Sequence, residues 1–463
     1  MKNEIKKRFP TTLFIITIFI LISLGLIIYA RGYRLDFKSK KILGTGLLVA
    51  TSLPDGASVY LNDHLTTATN TTINLAPGEY KVRIVKDGYL PWQKNLKVRE
   101  EIVTKTEATL FPSTPELKPL SVNGAINPSL SSDGTKLVFA VKTDEENGLE
   151  DKSGLWVIDM LDRPLSFSRL QHQIVKNSPL FDYSKAHYIW SPNAKELIVI
   201  FIREEEVTAT NTTNQAQKPT LKKPEIDLRS IDSLLPEIQI RNAFLLQTEN
   251  LNTVPKDITP TLSLTLKEWQ EEEEIKTTDQ FSTLKPALIN LATNSASLVH
   301  FAPDESKILY VATSSAQIPQ IIKPALIGTN SQPQERDLKP GNLYVYDIKE
   351  DKNFRIASAN ELKFANPQDL SSLVNLQSLF DTQTIRAENI TFQWMADSRH
   401  LLIVQPDKIS LMEYDGTNKS TVYAGPFEDA LVFPWPNGTK VVLLTSLNSI
   451  VSKNFNLYTL NLK

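Results

Sequence analysis

The chain has no cysteine. Disulfides, thiolate nucleophiles and cysteine-based zinc or iron–sulfur sites are thereby excluded, and every folded part must hold together by packing alone. Histidine is nearly as scarce. His64, His172, His187, His300 and His400 are the full set of 5, and no two of them stand at metal-ligand spacing. Charge of one sign is missing too. Lys+Arg 50 against Asp+Glu 52 leave a net charge of -2, which argues against a nucleic-acid partner, since nothing basic is left over to neutralise phosphates. No Gly-x-Ser-x-Gly elbow, His-Glu-x-x-His pair or phosphate-cradling glycine loop occurs, so neither a catalytic residue nor a cofactor or metal site can be assigned.

One stretch lacks charge altogether. Thr11 to Ala30 reads TTLFIITIFILISLGLIIYA. As a helix rising about 1.5 Å per residue it would be roughly 30 Å long, the thickness of bilayer hydrocarbon. The run exceeds the roughly 7–15 apolar residues of a signal peptide, and Ile28-Tyr29-Ala30 is a poor cleavage site. No polar face marks it as a core helix. The reading is a single-pass transmembrane helix over 11–30, with 1–10 as a short cytoplasmic tail and the lipid bilayer as a partner. Lys2, Lys6, Lys7 and Arg8 on one flank nearly balance Arg31, Arg34, Lys38, Lys40 and Lys41 on the other, so flanking charge does not set the orientation.

A length of 463 residues leaves room for two or three domains beyond this helix. From Gly46 the apolar period becomes two. Tyr80, Val82 and Ile84 alternate with Lys81 and Arg83, the pattern of a half-buried strand. Pro54-Asp55-Gly56, Asn74 to Gly78 and Asp87-Gly88 supply turns between short apolar runs. The segment 44–112 resembles the PEGA domain, a small β-sandwich. Its tetrad stands here as Pro54-Asp55-Gly56-Ala57, followed by Val59-Tyr60-Leu61-Asn62, Pro77-Gly78-x-Tyr80-x-Val82 and Gly88-Tyr89. The Thr-Pro that usually follows the second strand is replaced by Asn70-Thr71-Thr72. The resemblance implies a non-catalytic module of a bacterial or archaeal surface protein. It favours placing the bulk of the chain outside the membrane, in the cell envelope.

Prolines at 112, 115 and 119 read as a stiff linker over 113–119, because proline cannot donate to a strand ladder. Beyond it one pattern recurs: a strand, a tight turn with Asp or Asn, a basic residue, and a strongly apolar strand. Its copies are Leu130-Ser-Ser-Asp133, Trp190-Ser-Pro-Asn193, Phe301-Ala-Pro-Asp304, Trp394-Met-Ala-Asp397 and Trp435-Pro-Asn437, each leading into a strand. Third strands follow at Leu155–Asp159, Ala243–Gln247, Leu343–Asp347, Ser410–Tyr414 and Leu457–Leu460. Units of this kind bury their faces only by stacking on their neighbours. The copies resemble the TolB-type β-propeller repeat. The expected fold class is therefore mainly β: a transmembrane helix, a PEGA-like sandwich, and a propeller over 120–463 of five or six blades with partly helical insertions.

Asp133, Asp304 and Asp397 suggest an array of catalytic carboxylates, but Asn193 and Asn437 fill the same slot without charge, which points to turn capping. Trp190, Phe301 and Trp394 read as aromatics between blades. The Glu271–Glu274 run reads as a solvated helix face within 264–291. Glu204 to Arg229 is polar and loop-like, and Asn366 to Phe380 has the start signals and spacing of a helix. Segments 203–241 and 312–341 join second to third strands, and 262–295 and 359–389 join successive blades. All four should gather on one face and bind the partner there. The function expected is a non-enzymatic envelope protein binding an envelope protein or cell-wall glycan. A propeller enzyme acting on envelope glycan and a structural spacer are the alternatives.

If 11–30 is a retained anchor, the native chain should fractionate with membranes and a chain lacking 1–32 should be soluble. Protease added to spheroplasts should digest the region after Tyr33. A mature N-terminus near Arg31 would contradict the anchor, and full protection would place the domains in the cytoplasm.

Overall fold

The computed structural model describes the chain except residues 1, 31–33, 37–40, 144–149, 162–169, 203–239, 363–383, 388–389, 429–430 and 448–454. The polar insertion 204–229 and the helix expected over 366–380 lie outside the described residues. Two compact units result: Met1–Thr114 with Ile322–Pro333, and Pro115–Ile321 with Gln334–Lys463.

The first unit opens with a helix, Lys2–Ala30. Its described side chains run from Leu13 to Ile27 and are almost all exposed, Phe19 by 72%. Among the described residues no helix is long and apolar enough to cross a membrane. The Thr17 hydroxyl donates to the carbonyl of Leu13 at 2.9 Å, so it is satisfied within the helix. A short antiparallel pair, Arg34–Asp36 with Lys41–Leu43, follows.

Two sheets then face each other. In one, Gly46–Leu53 is central, antiparallel to Thr71–Leu75 and parallel to Val103–Thr109. The other runs His64–Ala68, Ser58–Leu61, Gly78–Val85, Trp92–Val98, antiparallel throughout. Alternation puts Leu48, Ala50, Val59, Val82, Ile84 and Trp92 into one core. Gly56 sits at φ +67, in the left-handed region that the tetrad turn needs.

Among the described residues the second unit contains five sheets of four or more strands, each built on one copy of the repeated motif. Their strands are 126–130, 136–141, 154–159 and 171–176; then 187–190, 196–202, 240–247 and 256–257; then 296–301, 307–312, 343–347 and 352–357. The fourth has 384–387, 390–394, 400–405, 408–413 and 420–423, and the fifth 432–434, 440–445 and 456–461 with 117–119 as its outermost strand. This last pairing closes a propeller. It also corrects the linker expected over 113–119. Leu120 N–H donates to Leu457 at 2.8 Å and Asn461 N–H to Glu116 at 3.0 Å, so bonded positions alternate and Pro119 falls where its missing donor would have pointed outward.

Shared apolar clusters show which blades touch. Leu137, Phe139 and Met160 of the first meet Phe433, Val442 and Leu444 of the fifth. The opposite face of the first blade meets Trp190, Leu197 and Val199 of the second. The third packs on the fourth through Leu309, Val345, Phe392 and Leu401. Gln393 Nε2 donates to Val432 O at 3.1 Å and joins the fourth to the fifth. Between the second and third blades lie helices instead. Leu262, Leu266 and Trp269, at i, i+4 and i+7 of Leu262–Ser282, cover Ile198, Ile200 and Ala243 of the second blade. Leu288 of Pro286–Ser295 joins Tyr310, Tyr344 and Tyr346 of the third. Phe281 meets Phe301 edge-on at 5.5 Å. Segment 262–295 was expected on an elaborated face. It is instead a helical wedge packed on the second and third blades, because each blade face beside it is apolar and needs cover.

Trp269 is 6% exposed in this wedge. Trp269→Ala should lower unfolding free energy by about 3–5 kcal/mol, measured in urea. Glu271→Ala, on the exposed side of the same helix, should stay within about 0.5 kcal/mol. Equal effects would mean that the wedge does not support the ring.

Candidate binding channel

The site is built from the turns that end each innermost strand. Asp133 Oδ1 accepts from Thr135 N–H at 3.0 Å, Asn193 Oδ1 from Lys195 N–H at 3.0 Å, Asp304 Oδ1 from Ser306 N–H at 3.0 Å, and Asn437 Oδ1 from Thr439 N–H at 2.8 Å. Each of these side chains closes its own turn. They form no shared carboxylate array. Among the described residues no group of three or more His, Asp or Glu is placed to hold a metal ion.

The turns are stitched to one another by a position that the sequence showed only as a basic residue. Lys136 Nζ donates to Ala194 O at 3.1 Å and Thr248 Oγ1 at 2.9 Å, tying the first blade to the second. Lys307 Nζ lies 4.7 Å from the Tyr414 ring, tying the third to the fourth. Asp304 N–H donates to Ser398 Oγ at 3.0 Å across that same boundary. The buried rings of Trp190 and Trp394 donate from Nε1, at 3.3 Å each, to Ser129 O and His300 O of the preceding blade. Of the Glu271–Glu274 run, Glu273 turns partly inward. Burial raises its carboxyl against the opposing charge of Lys276.

At the fourth turn the carboxylate does more. Asp397 accepts from the amides of Arg399 and His400 at 2.9 and 3.0 Å, and its Oδ2 lies 2.6 Å from His400 Nδ1. Burial alone would raise this carboxyl. The hydrogen bonds of the His400 ring and of the two amides outweigh burial and hold it well below the usual carboxylate range. A His–Asp pair suggests a general base, but the His400 ring is 3% exposed and serves the turn.

Inside the ring is a cavity of about 310 Å³. Innermost strands of the first, second, fourth and fifth blades line it, with Asn127, Ser132, His187, Thr384, Arg386 and Gln393 among the polar groups. Two of these come from an element that the sequence reading missed. Thr384–Ala387 pairs with Ile390–Trp394 as a fifth strand on the axial edge of the fourth blade. Its buried Ile385 anchors it against the third and fourth blades, while Arg386 is exposed to the cavity. The signal was present in the alternation of apolar Ile385, Ile390, Phe392 and Trp394 with Arg386, Thr391 and Gln393. Among the described lining residues Arg386 is the single charged side chain.

Residues 45–114 match the PEGA domain model and are a PEGA domain. A search of curated proteins finds no match. Similar solved structures include a putative TolB from Agrobacterium tumefaciens, 11% identical at TM-score 0.21 over 73% of this chain and 76% of that one. The β-propeller domain of the Trilobed protease from Pyrococcus furiosus is 12% identical at TM-score 0.15, over 90% and 83%. An oligogalacturonate lyase from Vibrio parahaemolyticus is 7% identical at TM-score 0.23, over 83% and 86%. The propeller assignment of this chain rests on its own sheet order and ring closure.

The turns yield a pH-dependent expectation. Asp397→Asn should cost about 1.5–3 kcal/mol at neutral pH, the range for bonds to a charged group. A lowered carboxyl stabilises above the unfolded value, so this cost should be full above about pH 5. It should shrink below about pH 4 as the unfolded chain takes up the proton. Asp304→Asn should cost under about 0.5 kcal/mol and Asp304→Ala about 1 kcal/mol. Urea unfolding at several pH values decides. A cost for Asp397→Asn that does not change with pH would contradict the ionised carboxylate.

Proposed function

We propose that this chain is a non-enzymatic binding protein of the cell envelope, held at a membrane by residues 11–30, whose propeller receives an acidic group of a partner in its axial channel. The observation that carries the reading is the lining of the channel. It presents hydroxyls, amides and the Arg386 guanidinium to a space of about 310 Å³. A guanidinium makes paired, charge-assisted bonds to carboxylates, and a concave site strengthens them by limiting water. The partner is an envelope protein or a cell-wall glycan bearing acidic groups.

The exposed apolar side chains from Leu13 to Ile27 support the anchor, because no protein surface covers them and a bilayer would. A PEGA domain next to the anchor supports an extracytoplasmic place for the rest. The enzymatic alternative has less support. His187 is the histidine at the channel, and no carboxylate of the described lining orients it as a base.

Fluorescent hexaglutamate and hexalysine peptides, titrated against the full chain in detergent, test this. Hexaglutamate should bind and hexalysine should not. Arg386→Gln should weaken hexaglutamate binding about tenfold, which is ~1.4 kcal/mol, without lowering the urea midpoint. Equal binding by native chain and variant, or none by either, would remove the channel as the acidic-group site.

A further inference from the structure

The connection between the second and third strands of the third blade has a stem and a tip. In the stem, Ala316–Gln317 pairs with Asp337–Leu338. Arg336 NH2 lies 2.9 Å from Asp351 Oδ1, which also accepts from the Tyr346 hydroxyl at 2.7 Å, and Asp351 Oδ2 accepts from Ile321 N–H at 2.7 Å. The tip, Ile322–Pro333, belongs to the compact unit of the PEGA domain.

There it lies where the two sheets end. Trp92–Val98 is the last strand of one sheet and Val103–Thr109 of the other. The ladder shows which backbone groups remain for an outside partner. Lys81 donates its N–H to Asn62 Oδ1 at 3.0 Å, and its carbonyl accepts from Asn62 N–H at 2.9 Å. Both groups of Lys81 are thus used on the far side, so Asn95, its opposite on Trp92–Val98, turns its own N–H and carbonyl out of the sheet. The Asn95 carbonyl accepts from Ser331 Oγ at 3.1 Å and from Gln332 Nε2 at 2.8 Å. Over the second edge strand, a Cβ at Gly328 would stand 3.2 Å from Ile102 Cγ2 and 3.7 Å from Val103 O, and its φ is +80. Only glycine passes there without strain. Residues 329–332 are half-buried.

An uncovered edge strand is a template for another strand. We propose that residues 328–332 are a built-in cover for this edge and prevent a second copy of the chain from adding its own Trp92–Val98 strand to it. The sequence of the strand favours a second copy as the species kept off. With Asn95 opposite its own counterpart in antiparallel pairing, Lys97 faces Gln93 and Lys94 faces Leu96, so no like charges meet. Such a contact is isologous and needs no other protein.

The test uses the full chain in detergent, with 326–333 replaced by a Gly-Ser run of equal length. The replacement should double the mass read by light scattering at the same protein concentration. Adding Asn95→Pro to it should restore the native mass, since proline removes the outward donor and leaves the ladder to Gly78–Val85 intact. The milder pair Ser331→Ala and Gln332→Ala keeps the tip in place. It should raise hydrogen exchange in peptide 92–98 about threefold. An unchanged mass on tip replacement, a doubled mass that Asn95→Pro does not reverse, or unchanged exchange in the double alanine variant would each overturn the proposal.

Discussion

A propeller blade is a sheet with two apolar faces, so each blade depends on a neighbour at both sides. In this chain that condition is met only when strand 117–119 joins the sheet made by 432–434, 440–445 and 456–461. The two ends of the second unit then share hydrogen bonds, and the first and fifth blades share one core. The helical wedge obeys the same condition. Between the second and third blades the apolar faces remain, and helices cover them as well as a sheet would. What the ring needs at that place is buried apolar area, and strand pairing is only one way of supplying it.

The site follows from the ring. Innermost strands stand around an axis with their ends held by turns in which Asp or Asn accepts from its own backbone. Lys136, Lys307 and the tryptophan indoles then fasten the first blade to the second and the third to the fourth. These polar groups hold the rim, and the lining of the channel sits further in, with Arg386 on the extra strand as part of it. The Asp397–His400 pair belongs to the rim by burial and by geometry, although its residue types alone would suggest catalysis.

Much of this was legible in the residues. Period-two alternation and the Pro54-Asp55-Gly56 turn marked the first sandwich, and five motif copies marked five blades, because local turn chemistry is written in adjacent residues. Closure was not legible. The prolines at 115 and 119 read as breakers, and only the partner strand reveals that Pro119 falls on an outward position. The wedge was seen as helical, yet its place was hidden, since Leu262, Leu266 and Trp269 show that one face is buried but not against what. The axial strand was passed over because Thr384–Ala387 is short and lies inside what looked like a connection. Asp397 resembled the other turn residues, and the histidine three positions on gave the only sign that its charge is used.

Closure by strand 117–119 also sets an order of events in time. The first blade is complete in sequence well before its partner face on the fifth blade exists, because residues 432–461 are made after the other four blades. Until they arrive, Leu137, Phe139 and Met160 have no cover, and strand 117–119 has no ladder to join. Contacts between the beginning and end of a long chain close the largest loops and form slowly. The nascent propeller is therefore an open arc with sticky ends for most of its synthesis. Its dependence on whatever shields such ends in the cell is written into the position of a three-residue strand.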